Sequence, residues 1–104
     1  CNRSERPRAM FIYNDLSALG FIDALVEFGL KVPEDVAIIG FDDIVIGRSS
    51  TNNLTSVHQP TDMIGKLAVE NLLKMINGKL PDASLYRTLN PELVIRESCG
   101  TKIS

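Results

Sequence analysis

The chain has 104 residues, 44% of them hydrophobic and 23% charged, which is typical of one ordinary globular domain or of part of one. A net charge of −2, with no cluster of Lys or Arg, argues against this segment holding nucleic acid by itself. No apolar run reaches the length of a membrane span, and two cysteines near the ends are too few for a disulfide framework, which favours a reducing compartment. Because the chain starts at Cys1 and not at Met, we expect it to be a fragment of a longer protein.

The first predicted elements alternate strand, helix and strand. The short apolar run "AMFIYN" predicts a buried strand, and from Leu16 apolar residues recur at helical spacing until Gly29. "VAIIGFDD" is a second continuous apolar run of strand length. Strands of this kind on either side of a helix predict a βαβ unit whose strands are parallel, buried on both faces and joined by a right-handed crossover.

The second half of the chain predicts one more strand, one helix and an extended tail. "LTSVHQ" alternates apolar and polar residues as a strand does, and Pro60 and Thr61 open a helix that Gly78 closes. Pro91 interrupts the extended segment "LYRTLNPELVIRES", which suits an edge strand or a bend. The apolar stripe of the helix is expected to be core and consists of Ile64, Leu67, Ala68, Leu72, Leu73 and Ile76.

Polar side chains follow the predicted parallel strands where each strand ends. Asn14 and Asp15 follow the first strand, Asp42 and Asp43 the second, and Gln59 the third. Ligands of parallel α/β sheets gather outside the carboxyl ends of the strands. Amide and carboxylate oxygens suit hydroxyl-rich, uncharged ligands, since amides donate and accept hydrogen bonds and carboxylates accept them.

Other roles remain open for the same residues. Asn14 or Asp15 can cap the following helix, and one can cap while the other reaches outward. Asp42 and Asp43 could form a metal-binding or acid–base pair, but adjacent residues on an extended chain point to opposite sides. No further cluster of Asp, Glu and His completes a metal set, and the single histidine, His58, lacks a nucleophile partner. We therefore expect no metal, no cofactor and no catalytic residue.

The segments "FIYNDLSALG", "GLKVPEDVAIIGFDD", "LTSVHQP", "IGKLAVENLL" and "NPELVIRESCG" occur in an order and at a spacing that resemble the lac/gal repressor (LacI/GalR) family of bacterial transcriptional regulators. The resemblance implies an α/β fold with a parallel sheet, the effector domain of the periplasmic-binding-protein-like type I class. It implies that the chain is an incomplete part of that domain. Residues 9–59 would belong to the C-terminal lobe, 60–84 to a helix and turn of the N-terminal lobe, and 85–100 to the final crossing strand.

The resemblance also implies roles for single residues. Asn14, Asp42 and Gln59 match positions that contact the effector in members of the family. Asp15 would cap the helix, and Asp43 would orient the loop that follows it.

Three further positions match residues at the dimer interface of the family: Leu19, Ile46 and Ser50. The chain departs from the family pattern at Asn52-Asn53, where Pro-Pro is frequent, and at His58, where Arg or Lys is frequent. Neither departure touches Asn14 or Asp42.

The resemblance implies an effector-sensing part of a cytoplasmic repressor that is not an enzyme. Its expected partners are a small sugar-like or purine-like effector and a second copy of the chain, with no membrane. DNA would be bound only through an N-terminal headpiece outside these residues. The alternatives are a periplasmic-type sugar-binding protein and a βαβ enzyme fragment that uses Asp42 and Asp43.

Overall fold

The structure is a computed structural model that describes residues 5–48, 53–79 and 88–101. Its strands and helices alternate for most of the chain, as the hydrophobic pattern predicts. In chain order they are β1 (Ala9–Phe11), α1 (Asp15–Glu27), β2 (Ala37–Asp42), α2 (Val45–Arg48), β3 (Thr55–His58), α3 (Thr61–Ile76), β4 (Glu92–Val94) and a final 3-10 helix (Glu97–Cys99).

The four strands form one sheet in the order β1-β2-β3-β4. β1, β2 and β3 are parallel, and β4 is antiparallel to β3, so the predicted parallel βαβ unit is confirmed. β4 lies at the edge of the sheet and begins directly after Pro91. Proline is tolerated at such an edge because it has no N–H to donate to a neighbouring strand. Of the expected extended segment 85–100, only residues 92–94 are strand, and residues 85–87 lie outside the described ranges.

A small apolar core lies between α1 and one face of the sheet. Each large side chain removed from water there contributes about 1.5–3 kcal/mol relative to leaving it exposed. Val26 and Phe28 fit the helical spacing in the sequence but are 57% and 84% exposed. The buried apolar residues are Ala18, Ile22, Val36, Ile38 and Leu54.

The expectation that the strands are buried on both faces is wrong for this chain. Along β2 the buried residues Ile38 and Gly40 alternate with half-buried ones, and Phe11 on β1 is 63% exposed. Phe11 packs edge-on against Phe41, with ring centroids 6.4 Å apart. Burial on both faces requires a helical layer on each side of a parallel sheet, and α1 supplies one such layer.

The chain divides into two compact units, residues 1–58 with 92–104, and residues 59–91. In the second unit α3 follows Pro60 and ends ahead of Gly78, whose φ of +73° terminates the helix as expected. The predicted burial of the α3 stripe is wrong: no residue of this helix is buried, and Ile76 is 69% exposed. Within the described part of this unit, which is one helix with its adjoining turns, there is no second layer against which to bury an apolar face.

No helix in the described ranges is long and apolar enough to cross a membrane.

Candidate functional site

Asn14 begins α1 as its N-cap residue. Its backbone is extended, with φ −152° and ψ 164°, and its side-chain Oδ1 accepts a hydrogen bond of 2.8 Å from the backbone N–H of Ser17. An extended residue whose side chain bonds the third N–H of the helix has the geometry of an N-cap. The expectation that Asp15 caps this helix is therefore wrong, because Asp15 is already the first residue inside it.

Asp15 is instead buried between α1 and the sheet, with 1% of its surface exposed. One carboxylate oxygen accepts the backbone N–H of Ile44 at 2.8 Å, and the other accepts the hydroxyl of Ser56 at 2.7 Å. The Ser56 hydroxyl in turn accepts the backbone N–H of Asp43 at 3.0 Å. Asp15 thus connects the start of α1 to the turn that follows β2.

Gly40 makes room for this carboxylate. A Cβ atom at residue 40 would collide with the Asp15 side chain and would lie 3.1 Å from Leu54 Cδ2. A glycine inside a strand commonly marks such a close approach. The absence of a side chain at residue 40 is what lets an aspartate lie on the sheet at this point.

Asp42 ends β2 and Asp43 follows it, and both have positive φ angles, 104° and 55°. Positive φ is rare for residues other than glycine and costs on the order of 1–3 kcal/mol at each position. The two dihedrals turn the chain sharply where the strand ends. As a result Asp42 is half-buried, whereas Asp43 turns inward and is 6% exposed.

Asp43 is surrounded by positively charged or protonatable side chains. Arg96 Nη2 donates to Asp43 Oδ1 at 2.6 Å, and Arg48 Nη2 donates to Oδ2 at 3.0 Å. His58 Nδ1 lies 3.0 Å from Oδ2 and is the donor of that pair, because an ionised carboxylate only accepts. Burial alone would raise the pKa of Asp43. Hydrogen bonds and charge attraction from Arg96 and Arg48 outweigh that effect, so the pKa lies below its ordinary 3.8. Asp43 is therefore held ionised.

The C-terminal segment that supplies Arg96 is fixed to the middle of the sheet. Arg96 Nη1 donates to the carbonyl of Leu54 at 2.6 Å, and the Arg96 backbone N–H donates to Thr55 Oγ1 at 2.8 Å. Ser98 is fully buried; its hydroxyl donates to the carbonyl of Ile38 at 2.7 Å and accepts the N–H of Thr55 at 2.8 Å. The "FDD" and "VIRES" segments, far apart in sequence, meet through Asp43 and Arg96.

The comparison with protein families assigns the fold. Residues 1–99 match the periplasmic binding protein-like domain. The chain belongs to this family.

The similar proteins include transcriptional repressors and LacI-family regulators. The transcriptional repressor PurR of Vibrio vulnificus is 40% identical over 94 residues, which cover 90% of this chain and 28% of that protein. A LacI-family regulator from Lactobacillus casei with bound sucrose superposes with a TM-score of 0.81 at 36% identity, over 94% of this chain and 35% of that one. A LacI-family regulator from Arthrobacter sp. FB24 in complex with lactose superposes with a TM-score of 0.76 at 36% identity, over 88% of this chain and 34% of that one.

These matches confirm the resemblance to the LacI/GalR family and the periplasmic-binding-protein-like fold class. The chain spans 28% of the length of the V. vulnificus repressor. It is therefore similar to one part of such a regulator.

The structure brings Asn14 and Asp42 to the same end of this binding-protein-like sheet. Asn14 precedes Asp15, which bonds the backbone of Ile44, two residues beyond Asp42. Asp42 pairs directly with His58 across β2 and β3. Gln59 opens the second unit, where its carbonyl accepts the N–H of Thr61 at 2.8 Å. The role of these residues in holding an effector stays a prediction.

The positions predicted for a dimer interface differ in exposure. Leu19 is half-buried and packs against the core of its own chain, whereas Ile46 on α2 is 62% exposed. Ser50 lies outside the described residues.

The sequence did not identify Gly40, Arg96 or Ser98 as parts of this site. It predicted Asp15 as a helix cap, whereas Asp15 is buried and bonds the turn after β2. A glycine inside an otherwise branched and apolar strand was the available signal for the close approach at Gly40. Arg96 and Ser98 lie in "VIRES", which the family resemblance includes, but nothing local to that segment indicates that it contacts Asp43.

Within the described ranges, no group of three or more His, Cys, Asp or Glu residues could hold a metal ion. Cys99 is a free thiol, and Cys1 lies outside those ranges. Burial raises the pKa of the Cys99 thiol, but hydrogen bonds with Thr101 and Thr55 lower it more, so the pKa is below its ordinary value. An apolar cavity of about 630 Å³ lies at the C-terminal end of α1, away from Asn14 and Asp42, and is lined by Met10, Phe21, Leu25, Phe28 and Leu30 among others.

Proposed function

We propose that this chain is the effector-sensing part of a LacI/GalR-type transcriptional repressor. The observation that carries the proposal is the pair Asn14 and Asp42 at the carboxyl ends of adjacent parallel strands. Relatives of the same fold have bound sucrose and lactose, which supports a hydroxyl-rich effector. A purine-like effector, whose ring N–H and carbonyl groups also form hydrogen bonds, is the other ligand class of this proposal.

The chemistry of the two side chains suits such ligands. The Oδ1 atom of Asn14 is used by its own helix, so its amide NH₂ group is the part that would donate to a ligand. The Asp42 carboxylate would accept hydrogen bonds from ligand hydroxyl or N–H groups. Gln59 would add a group that both donates and accepts, from the chain segment that begins the second unit.

Effector binding would act by population shift. A ligand that contacts both lobes of the complete domain favours one lobe arrangement, and a dimer passes this preference to its DNA-binding headpieces. In this proposal Leu19, Ile46 and Ser50 contribute to the dimer, DNA is bound outside these residues, and the protein acts in the cytoplasm without a cofactor or catalysis.

A periplasmic-type sugar-binding protein is the second candidate, favoured by the family description itself. The gene upstream of this segment distinguishes the two, since a helix-turn-helix indicates a regulator and a secretory signal indicates transport. The enzyme alternative is weaker, because two arginines hold Asp43 ionised, and an ionised carboxylate has no proton to give as a general acid.

The test is Asp42→Ala in the complete regulator, with a reporter assay for repression and calorimetry for effector binding. We expect the effector affinity to fall about tenfold or more, as for the loss of hydrogen bonds to a charged group, while operator binding is retained. Asp23→Ala, on an exposed position of α1, is the matched control and should change neither property. An unchanged effector response in Asp42→Ala would contradict the proposal.

A further inference from the structure

The turn at Asp42 and Asp43 needs outside support to keep its shape. Both residues have the positive φ angles that side chains other than glycine disfavour. Such conformations persist only where surrounding contacts over-determine them. The contacts of Asp43 therefore govern the direction in which Asp42 faces.

Three side chains hold the Asp43 carboxylate, and they differ in how firmly they are themselves fixed. The Arg48 and His58 side chains are 47% and 40% exposed, whereas the Arg96 side chain is 18% exposed. An exposed ion pair contributes little, because water competes for both partners. Arg48 also donates to the backbone carbonyl of Asp43 at 3.1 Å, but Arg96 is the less exposed arginine, so its geometry is the more firmly fixed.

Arg96 joins the backbone carbonyl of Leu54 to the side chain of Asp43 through one rigid group. Its guanidinium donates from Nη1 to the Leu54 carbonyl and from Nη2 to Asp43, each at 2.6 Å. Its own backbone is fixed by the hydrogen bond to Thr55 Oγ1. A planar guanidinium fixes the angle between two acceptors, which the single ammonium of a lysine does not.

We propose that Arg96 is a positioning residue for effector binding: it holds the strained Asp42–Asp43 turn so that Asp42 faces the ligand. This inference rests on the proposed function and assigns the regulation of its site to a residue in the C-terminal segment. Arg96 acts through Asp43 and Asp42 and does not itself contact the effector.

The test is a double-mutant cycle on effector affinity between Arg96→Met and Asp42→Ala in the complete regulator. Calorimetry with sucrose, lactose, adenine and guanine first identifies the compound that binds the unmutated protein, and the cycle uses that compound. Arg96→Met should weaken binding about tenfold, and adding it to Asp42→Ala should cost nothing more, because the side chain that it positions is gone.

Controls separate positioning from a general loss of stability. Arg6→Met breaks an ion pair of 2.7 Å with Asp35, where β1 and β2 begin, at the opposite end of the sheet, and should leave affinity unchanged. Arg48→Met removes the arginine partner of Asp43 that is more exposed than Arg96, and it should weaken effector binding by less than about threefold. Arg96→Lys keeps the charge and should still weaken binding, and it provides the measurement if Arg96→Met does not fold.

The outcomes distinguish this inference from the proposed function. Additive losses in the cycle, or unchanged affinity in both Arg96 variants, would overturn the positioning role and leave the proposed function standing. Failure of all four compounds to bind the unmutated regulator would overturn the ligand classes of the proposed function and this inference with them. Unchanged affinity in Asp42→Ala would overturn the assignment of the site.

Discussion

The turns that follow β1 and β2 are built on the same plan with different chemistry. Each places two polar residues in succession, the first half-buried at the end of the sheet and the second buried beneath it. Asn14 and Asp15 form the first pair, and Asp42 and Asp43 the second. In both turns the inward residue is a carboxylate that fixes the backbone, which leaves the outward residue at the end of the sheet.

The two buried carboxylates differ in their donors. Asp15 accepts from a backbone N–H and a serine hydroxyl, both neutral, whereas Asp43 accepts from Arg96 and Arg48 and pairs with His58. The first turn is therefore sensitive to space and to local hydrogen bonds. The second depends on charge brought from the far end of the sequence.

The largest expected effect on stability is that of Gly40→Ala, a change in β2 that acts on the first turn through Asp15. The new methyl group would collide with the Asp15 carboxylate, which two hydrogen bonds hold in place, so we expect a loss of about 3 kcal/mol or more in the free energy of unfolding. Urea unfolding of the chain measures it. Combining Gly40→Ala with Asp15→Ala should cost less than the sum of the single changes.

Gly20→Ala is the matched control. Residue 20 lies in α1 with nothing within 4 Å of the added Cβ, so the same substitution should stabilise the helix by up to about 1 kcal/mol. Equal effects at the two glycines would show that the Asp15 carboxylate does not occupy the space above Gly40.

A smaller, pH-dependent effect is expected in the second turn, with Asp43→Asn. Loss of the charged acceptor should lower the free energy of unfolding by roughly 2 kcal/mol at neutral pH. Because the folded-state pKa of Asp43 is lowered, its ionised form stabilises the fold. This contribution is complete above the ordinary pKa of 3.8 and is lost as the pH falls through the lower folded-state pKa.

The measurement is urea unfolding of the unmutated chain and of Asp43→Asn between neutral pH and about pH 3. Their difference should shrink below about pH 4, since residue 43 titrates there in the unmutated chain and not in Asp43→Asn. A difference that stays constant over the whole range would contradict the role of the ionised carboxylate.

The smallest effect is expected from Asn14→Ala, which removes the N-cap of α1. The Ser17 N–H would lose its partner, at a cost of about 1 kcal/mol in stability. Asn14→Asp should retain most of the cap, because aspartate caps helices as well as asparagine does. Thermal unfolding followed by circular dichroism compares the variants, and equal stability of Asn14→Ala and the unmutated chain would refute the capping role.

Much of the fold could be predicted from hydrophobic periodicity, because strand and helix lengths are local properties of the chain. The pattern from "AMFIYN" to "VAIIGFDD" correctly predicted two parallel strands around α1, and Pro91 correctly indicated an edge strand. Burial could not be predicted in the same way. The stripe of α3 and the outer residues Val26 and Phe28 have helical spacing, but whether a stripe is covered depends on a surface supplied by another part of the structure.

The same distinction between local pattern and distant contacts applies to the candidate site. The sequence by itself determined that Asn14 and Asp42 end neighbouring parallel strands, because strand direction and length place them there. Only the tertiary structure decided which residue of each pair turns inward, since that choice depends on the space above Gly40 and on the distant Arg96, whose segment Ser98 fixes to the sheet. Those contacts join residues up to 60 positions apart, as between Ile38 and Ser98, and no local pattern records them.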